Sequence, residues 1–135
     1  METAHVTYLG GLRTEALHLR SGEKIITDAP VDNHGKGAAF SPTDLMSTSL
    51  ACCMMTLMGI AANGHGIELR GLEARVMKHM AANPRRVERV EVAFTLDGSA
   101  LDARQRTLLE HAARTCPVAM SLSKELVQDV TFTYR

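Results

Sequence analysis

The residues best suited to chemistry are three cysteines in two places: the adjacent pair Cys52-Cys53 and, far downstream, Cys116. Thiols can ligate metals, form disulfides or act as nucleophiles, and spacing narrows the choice. There is no CxxC pair, and His5, His18, His34, His65, His79 and His111 are scattered without an HExxH pattern or paired Cys/His spacing, so no metal site is expected. Gly35-Lys36-Gly37 is too short to cradle a phosphate, and neither GxGxxG nor a P-loop occurs, so no nucleotide or other cofactor is expected. An odd cysteine count argues against a disulfide scaffold. Redox chemistry or inert burial remains.

The two thiol contexts differ. Cys53 lies more than two turns into an apolar helical stretch, among Leu50, Met54, Met55 and Leu57. Such surroundings disfavour a thiolate unless a cation stands nearby. Thr115-Cys116-Pro117 puts the other thiol at a helix start, where unpaired N–H groups and the macrodipole favour an anion. On local physics alone Cys116 is the better nucleophile. For either residue the bland alternative is a small apolar core side chain.

The elements that must hold these thiols can be read from hydropathy and turn residues. Val6 to Leu9, Arg13 to Leu19 and Lys24 to Thr27 read as an antiparallel meander punctuated by Gly10-Gly11 and Ser21-Gly22. Asp28 to Phe40 reads as a loop. Ser41-Pro42-Thr43-Asp44 is a strong helix start, with serine at the cap, proline first and an acid closing a capping box, and the helix should reach about Ala62. Ile67 to Met80 and Val90 to Leu96 alternate as strands about an Asn83-Pro84 turn. Asp102 to Arg114 is an amphipathic helix capped by Ser99 or Asp102. A short helix from Pro117 through Lys124 and a closing strand through Val130, Phe132 and Tyr134 complete the order βββ-α-ββ-α-α-β.

Runs of strands without βαβ alternation argue for an α+β fold with antiparallel sheets around a long buried central helix. The 135 residues suit one domain, 1–135. Leu45 to Ala62 carries no charge, but Ser47, Thr48, Ser49, Thr56 and Gly59 interrupt it and no aromatic belt flanks it, so a core helix is expected rather than a membrane span. So apolar a helix in so small a chain calls for cover from a second copy, and a homodimer is expected. Fifteen basic and fifteen acidic residues cancel, which gives no bulk electrostatic reason to bind nucleic acid or anionic membrane. Met-Glu-Thr-Ala-His lacks the pattern of a signal peptide, so a cytoplasmic location is expected.

Ser41-Pro42-Thr43-Asp44-Leu45, the small-residue helix through Ala51-Cys52-Cys53, and Cys116-Pro117-Val118 together resemble the OsmC/Ohr family of osmotically inducible and organic hydroperoxide resistance proteins. That family places its reactive cysteine eleven residues after the proline, which selects Cys53, and its second cysteine in a Cys-Pro segment, which selects Cys116. The resemblance implies an intertwined homodimer and a thiol peroxidase for organic hydroperoxides, with Cys53 peroxidatic and Cys116 resolving. It implies an external dithiol, thiol or lipoyl-type, as reductant. It also implies an arginine from the first strands beside the thiolate, best matched by Arg13. The hydroperoxide-resistance branch carries glutamate directly after the proline, where this chain has Thr43, so Asp44 is left to pair with the arginine. An acid at that second position resembles divergent OsmC-like branches, for which a non-catalytic redox-sensing or small-ligand-binding dimer is the alternative.

Overall fold

Alternating side chains and tight turns make the first unit, residues 1–46, of a computed structural model that describes residues 1–135. Strands β1 (Ala4–Gly10), β2 (Arg13–His18) and β3 (Lys24–Asp28) pair antiparallel in that order. The β1–β2 connection needs a left-handed backbone at Gly10, Gly11 and Leu12, and two glycines in three positions make that turn accessible. In β2–β3, Arg13 faces Asp28 and Thr14 faces Thr27, whose hydroxyls hydrogen bond to each other. The expected loop after β3 contains a 3-10 turn at Val31–Asn33. It folds back so tightly that a Cβ on Gly35 would lie 1.7 Å from the Ala29 carbonyl oxygen. Asp28 fastens the loop: its N–H donates to the Phe40 carbonyl, and its Oδ2 accepts from the Ala38 N–H at 2.9 Å.

Helix α1 (Pro42–Gly64) starts as its sequence requires. The Ser41 Oγ accepts from the Asp44 N–H, and the Asp44 carboxylate accepts from the Ser41 N–H, each at 3.0 Å. This is the expected capping box. Ser47, Leu50, Ala51, Met54, Met58 and Ala62 are buried, at spacings that form one stripe. Cys52, Thr56, Ile60 and Asn63 form an exposed stripe on the other side. The helix expected to be buried all round is therefore covered on one side by its own chain. It is long and apolar enough to cross a membrane, a test that core helices also pass.

The second unit, residues 47–135, holds the rest of α1 and the sheet β4 (Glu73–Ala81), β5 (Arg86–Leu96) and β6 (Val127–Tyr134). Val90, Val92, Phe94 and Leu96 alternate inward on β5 and are essentially inaccessible. Phe94 stacks on Phe132 of β6, with centroids 5.2 Å apart. Helices α2 (Ala103–Arg114) and α3 (Pro117–Ser121) connect β5 to β6. Asp102 caps α2 in a capping box with Gln105, which settles the choice between Ser99 and Asp102. Near the C-terminus the Tyr134 hydroxyl donates to Glu110 at 2.7 Å, and the Arg106 guanidinium lies 4.3 Å over the tyrosine ring. Gly98 is required there, because a Cβ would fall 2.5 Å from that of Tyr134.

The α+β class and the order of elements agree with the sequence reading, with three differences of detail. The pairing of β5 with β6 is parallel rather than antiparallel, because the α2–α3 connection carries the chain back before β6 begins. Ile67 to Gly71 is not strand, and β4 starts at Glu73. Helix α3 stops at Ser121, short of Lys124.

Candidate active site

The second unit brings together the two thiols that the sequence singled out. Cys53 is half-buried on α1, whereas Cys116 has no accessible surface, between α2 and α3. Cys116 caps α3, and its Sγ accepts from the Ala119 N–H at 3.4 Å. Burial nevertheless pushes the Cys116 thiol up, and its hydrogen bond to Cys53 pushes in the same direction, against the opposing N–H donors. The neutral form of Cys116 is therefore favoured beside Cys53.

This reverses the local argument that made Cys116 the better nucleophile. A five-residue helix supplies little dipole, and desolvation of the charged form outweighs it. Residues around Cys116 hold it in place: the Gln128 side chain of β6 donates to the Ala119 carbonyl at 2.9 Å. Cys52, next to Cys53, turns away and is exposed, as the roughly 100° step between helix neighbours requires. It lines a groove of about 610 Å³ with Met55, Arg75, Thr95 and Arg135. A second depression of about 600 Å³ lies among His65, Ile67, Leu108 and His111. Neither reaches the thiol pair. All three cysteines are free, and no cluster of three or more His, Cys, Asp or Glu side chains could hold a metal.

Arg13 and Asp44 belong to the first unit. Arg13 opens β2 opposite Asp28, and its Nε is buried without a hydrogen-bond partner. Asp44 has one carboxylate oxygen engaged in the helix cap. Sequence reasoning missed Asp28, a carboxylate only 1 % exposed, because it stands where a strand passes into a loop and reads there as an ordinary turn residue.

With this geometry in place, the comparisons with known proteins are specific. The family model described as OsmC-like protein matches residues 34–131. A crystal structure of a candidate osmotic stress induced and detoxification response protein from Psychrobacter arcticus is 52% identical, with 98% of this chain and 96% of that chain covered and a TM-score of 0.92. An OsmC-like protein from Mycoplasma pneumoniae shares the fold at 15% identity, with 97% and 94% covered and a TM-score of 0.80. So does an organic hydroperoxide resistance protein OsmC from Legionella pneumophila, at 18% identity, 98% of each chain covered and a TM-score of 0.77. No curated protein sequence matches the chain.

Proposed function

The chain belongs to the OsmC-like protein family, and from that premise we propose that it is a thiol peroxidase for organic hydroperoxides, with Cys53 peroxidatic and Cys116 resolving. The observation that carries the reading is the pairing of a half-buried Cys53 with a fully buried Cys116, whose thiol is pushed up by burial and by its neighbour Cys53. A thiol kept protonated and out of solvent is protected from peroxide yet poised to capture an oxidised neighbour.

In the proposed cycle the Cys53 thiolate, stabilised by Arg13, attacks one oxygen of the hydroperoxide. The O–O bond breaks, the departing alkoxide takes up a proton and leaves as alcohol, and Cys53 becomes a sulfenic acid. The Cys116 sulfur then attacks the Cys53 sulfur; hydroxide departs with the Cys116 proton as water, and a disulfide forms. An external dithiol, a small thiol or a lipoyl-type reductant, returns both sulfurs to thiols by exchange. The apolar neighbour Leu57, one turn beyond Cys53 on α1, favours organic over hydrogen peroxide. The reducing cytoplasm suits such a cycle.

OsmC/Ohr proteins are commonly dimeric, and the exposed stripe on α1, together with exposed Val6, Tyr8 and Ile25 on the first sheet, supports a homodimer here. Light scattering at micromolar concentration should report two chains; a folded monomer removes this part of the proposal. The second reading, a redox-sensing or ligand-binding dimer with little turnover, is favoured by Thr43, which stands where the hydroperoxide-resistance branch has glutamate.

The deciding experiment is consumption of cumene hydroperoxide against hydrogen peroxide with a dithiol reductant. Wild-type and Cys52→Ser proteins should turn over, preferring the organic substrate. Cys53→Ser should be inactive, and Cys116→Ser should form one sulfenic acid per chain and stall. Activity that survives Cys53→Ser overturns the assignment.

A further inference from the structure

Cys116 stands between two side-chain ties to one strand. Two residues before it, the Arg114 guanidinium at the end of α2 donates to the Val130 carbonyl of β6 at 3.3 Å and lies 5.4 Å over the Phe132 ring. Three residues after it, the Gln128 side chain of β6 donates from Nε2 to the Ala119 carbonyl of α3 at 2.9 Å. All of these residues, and Cys53 beside Cys116, belong to the second unit.

The second tie bears directly on the sulfur. Ala119 is buried, and its own N–H donates to the Cys116 Sγ at 3.4 Å. One residue thus joins the thiol, through its N–H, to β6, through its carbonyl. Helix α3 cannot hold itself in place, because it has five residues and so short a helix depends on tertiary contacts. Carbonyls near a helix C-terminus also lack intrahelical donors. The Gln128 amide supplies one, from a point on β6 whose backbone is paired with the fully buried Val90 of β5.

We propose that Gln128 is a positioning residue for Cys116: by holding the Ala119 carbonyl it sets where α3 stands against β6, and so keeps the Cys116 sulfur in place for the step that closes the disulfide. This rests on the function proposed above. In that step the Cys116 sulfur attacks the sulfur of the Cys53 sulfenic acid, the S–O bond breaks as the S–S bond forms, and hydroxide leaves with the Cys116 proton as water. The oxidant is the hydroperoxide already reduced at Cys53. Gln128 touches neither sulfur. It acts on the second step and not the first, because Cys53 is carried by α1, which has no part in this tie.

The test uses full-length protein in a Cys52→Ser background and follows the two steps separately after one equivalent of cumene hydroperoxide. Dimedone trapping reads sulfenic acid at Cys53, and acid quench with non-reducing peptide mass mapping reads the Cys53–Cys116 disulfide. Gln128→Met keeps the length of the side chain and removes the donor. It should leave sulfenic acid formation within about twofold of wild type and slow disulfide closure about fivefold, the effect of one ordinary hydrogen bond. More Cys53 should then be overoxidised to sulfinic acid under excess peroxide. Equal slowing of both steps overturns the proposal, because Gln128 would then act through general stability. An unchanged closure rate overturns it too.

Should Gln128→Met fail to fold, Gln128→Asn decides. It keeps the amide but draws it back by one methylene from Ala119, so the same selective loss is expected and wild-type closure overturns the inference. If wild-type protein consumes no hydroperoxide, the peroxidase reading fails by itself. Diamide then judges Gln128, since it oxidises neighbouring thiols to a disulfide, is itself reduced to the hydrazine, and needs no peroxidase activity. Wild-type protein should close the Cys53–Cys116 disulfide about fivefold faster than Gln128→Met, and equal rates overturn the role of Gln128.

Discussion

Competitive alkylation of the two paired thiols tests the division of labour without any peroxide. In Cys52→Ser protein, a tenth of an equivalent of iodoacetamide should modify Cys53 in large excess over Cys116. The magnitude follows from two properties of Cys116. Its side chain has no accessible surface, so reagent reaches it only after the α2–α3 junction opens. A local opening of about 2–3 kcal/mol, ordinary for a short surface element, slows labelling by about 30- to 150-fold. Its thiol is also held above its ordinary range by burial. An unshifted thiol near 8.5 is only about one-tenth ionised at pH 7.5, and any rise lowers that further. A Cys53 to Cys116 ratio of at least about 30 is therefore expected, read by peptide mass mapping of the first modified fraction. A ratio within threefold of unity would refute the reasoning, since it would mean that the junction opens freely or that Cys116 is the more ionised thiol.

Two further outcomes concern the frame that holds the pair. Tyr134 is raised above its ordinary range, first by burial and then by the hydrogen bond its hydroxyl gives Glu110. The unfolded phenol loses its proton near pH 10 while the folded one keeps it, so this contribution is intact below about pH 10 and is lost as pH rises toward the folded value. Urea midpoints of wild-type protein should fall more steeply above pH 10 than those of Tyr134→Phe, and equal slopes would show that the tyrosine is not coupled to folding. Phe94→Ala removes a fully buried ring stacked on Phe132 and should cost about 3–5 kcal/mol in urea denaturation, a large part of the roughly 5–15 kcal/mol available to a domain; a loss below 1 kcal/mol would mean that the core of this sheet is not where the structure places it.

Much of the fold was legible because its signals are local. Ser41, Pro42 and Asp44 announce the start of α1, and the alternation of Val90, Val92, Phe94 and Leu96 announces β5. The direction of β6 was not legible, since no property of Val127–Tyr134 by itself records which strand it will join or from which end. Likewise, Ile67 to Gly71 alternates too briefly to distinguish a strand from an extended connection. At the site, the candidate thiols came from residue type and spacing, but the raised thiol of Cys116 did not. The cap position of Cys116 is written in the sequence, whereas its burial is a tertiary property and reverses the expectation. Asp28 was invisible for the same reason: a carboxylate beside Ala29-Pro30 looks solvated until the fold buries it.

The parallel β5–β6 pairing sets an order in time. Strands β1 to β3 join through tight hairpins, so their contacts form between near neighbours in the chain. Partners such as Arg89 and Asp129 are separated by 40 positions, and their meeting must wait for the intervening helices and for the entropy of closing that span. Cys116 rides within the span, anchored through Ala119 to Gln128 of β6. The two thiols are thus expected to become neighbours only as the last strand docks. On the proposed assignment, a chain with α1 complete but β6 not yet docked lacks the anchor that sets Cys116 beside Cys53, so disulfide formation is expected to follow docking of the last strand.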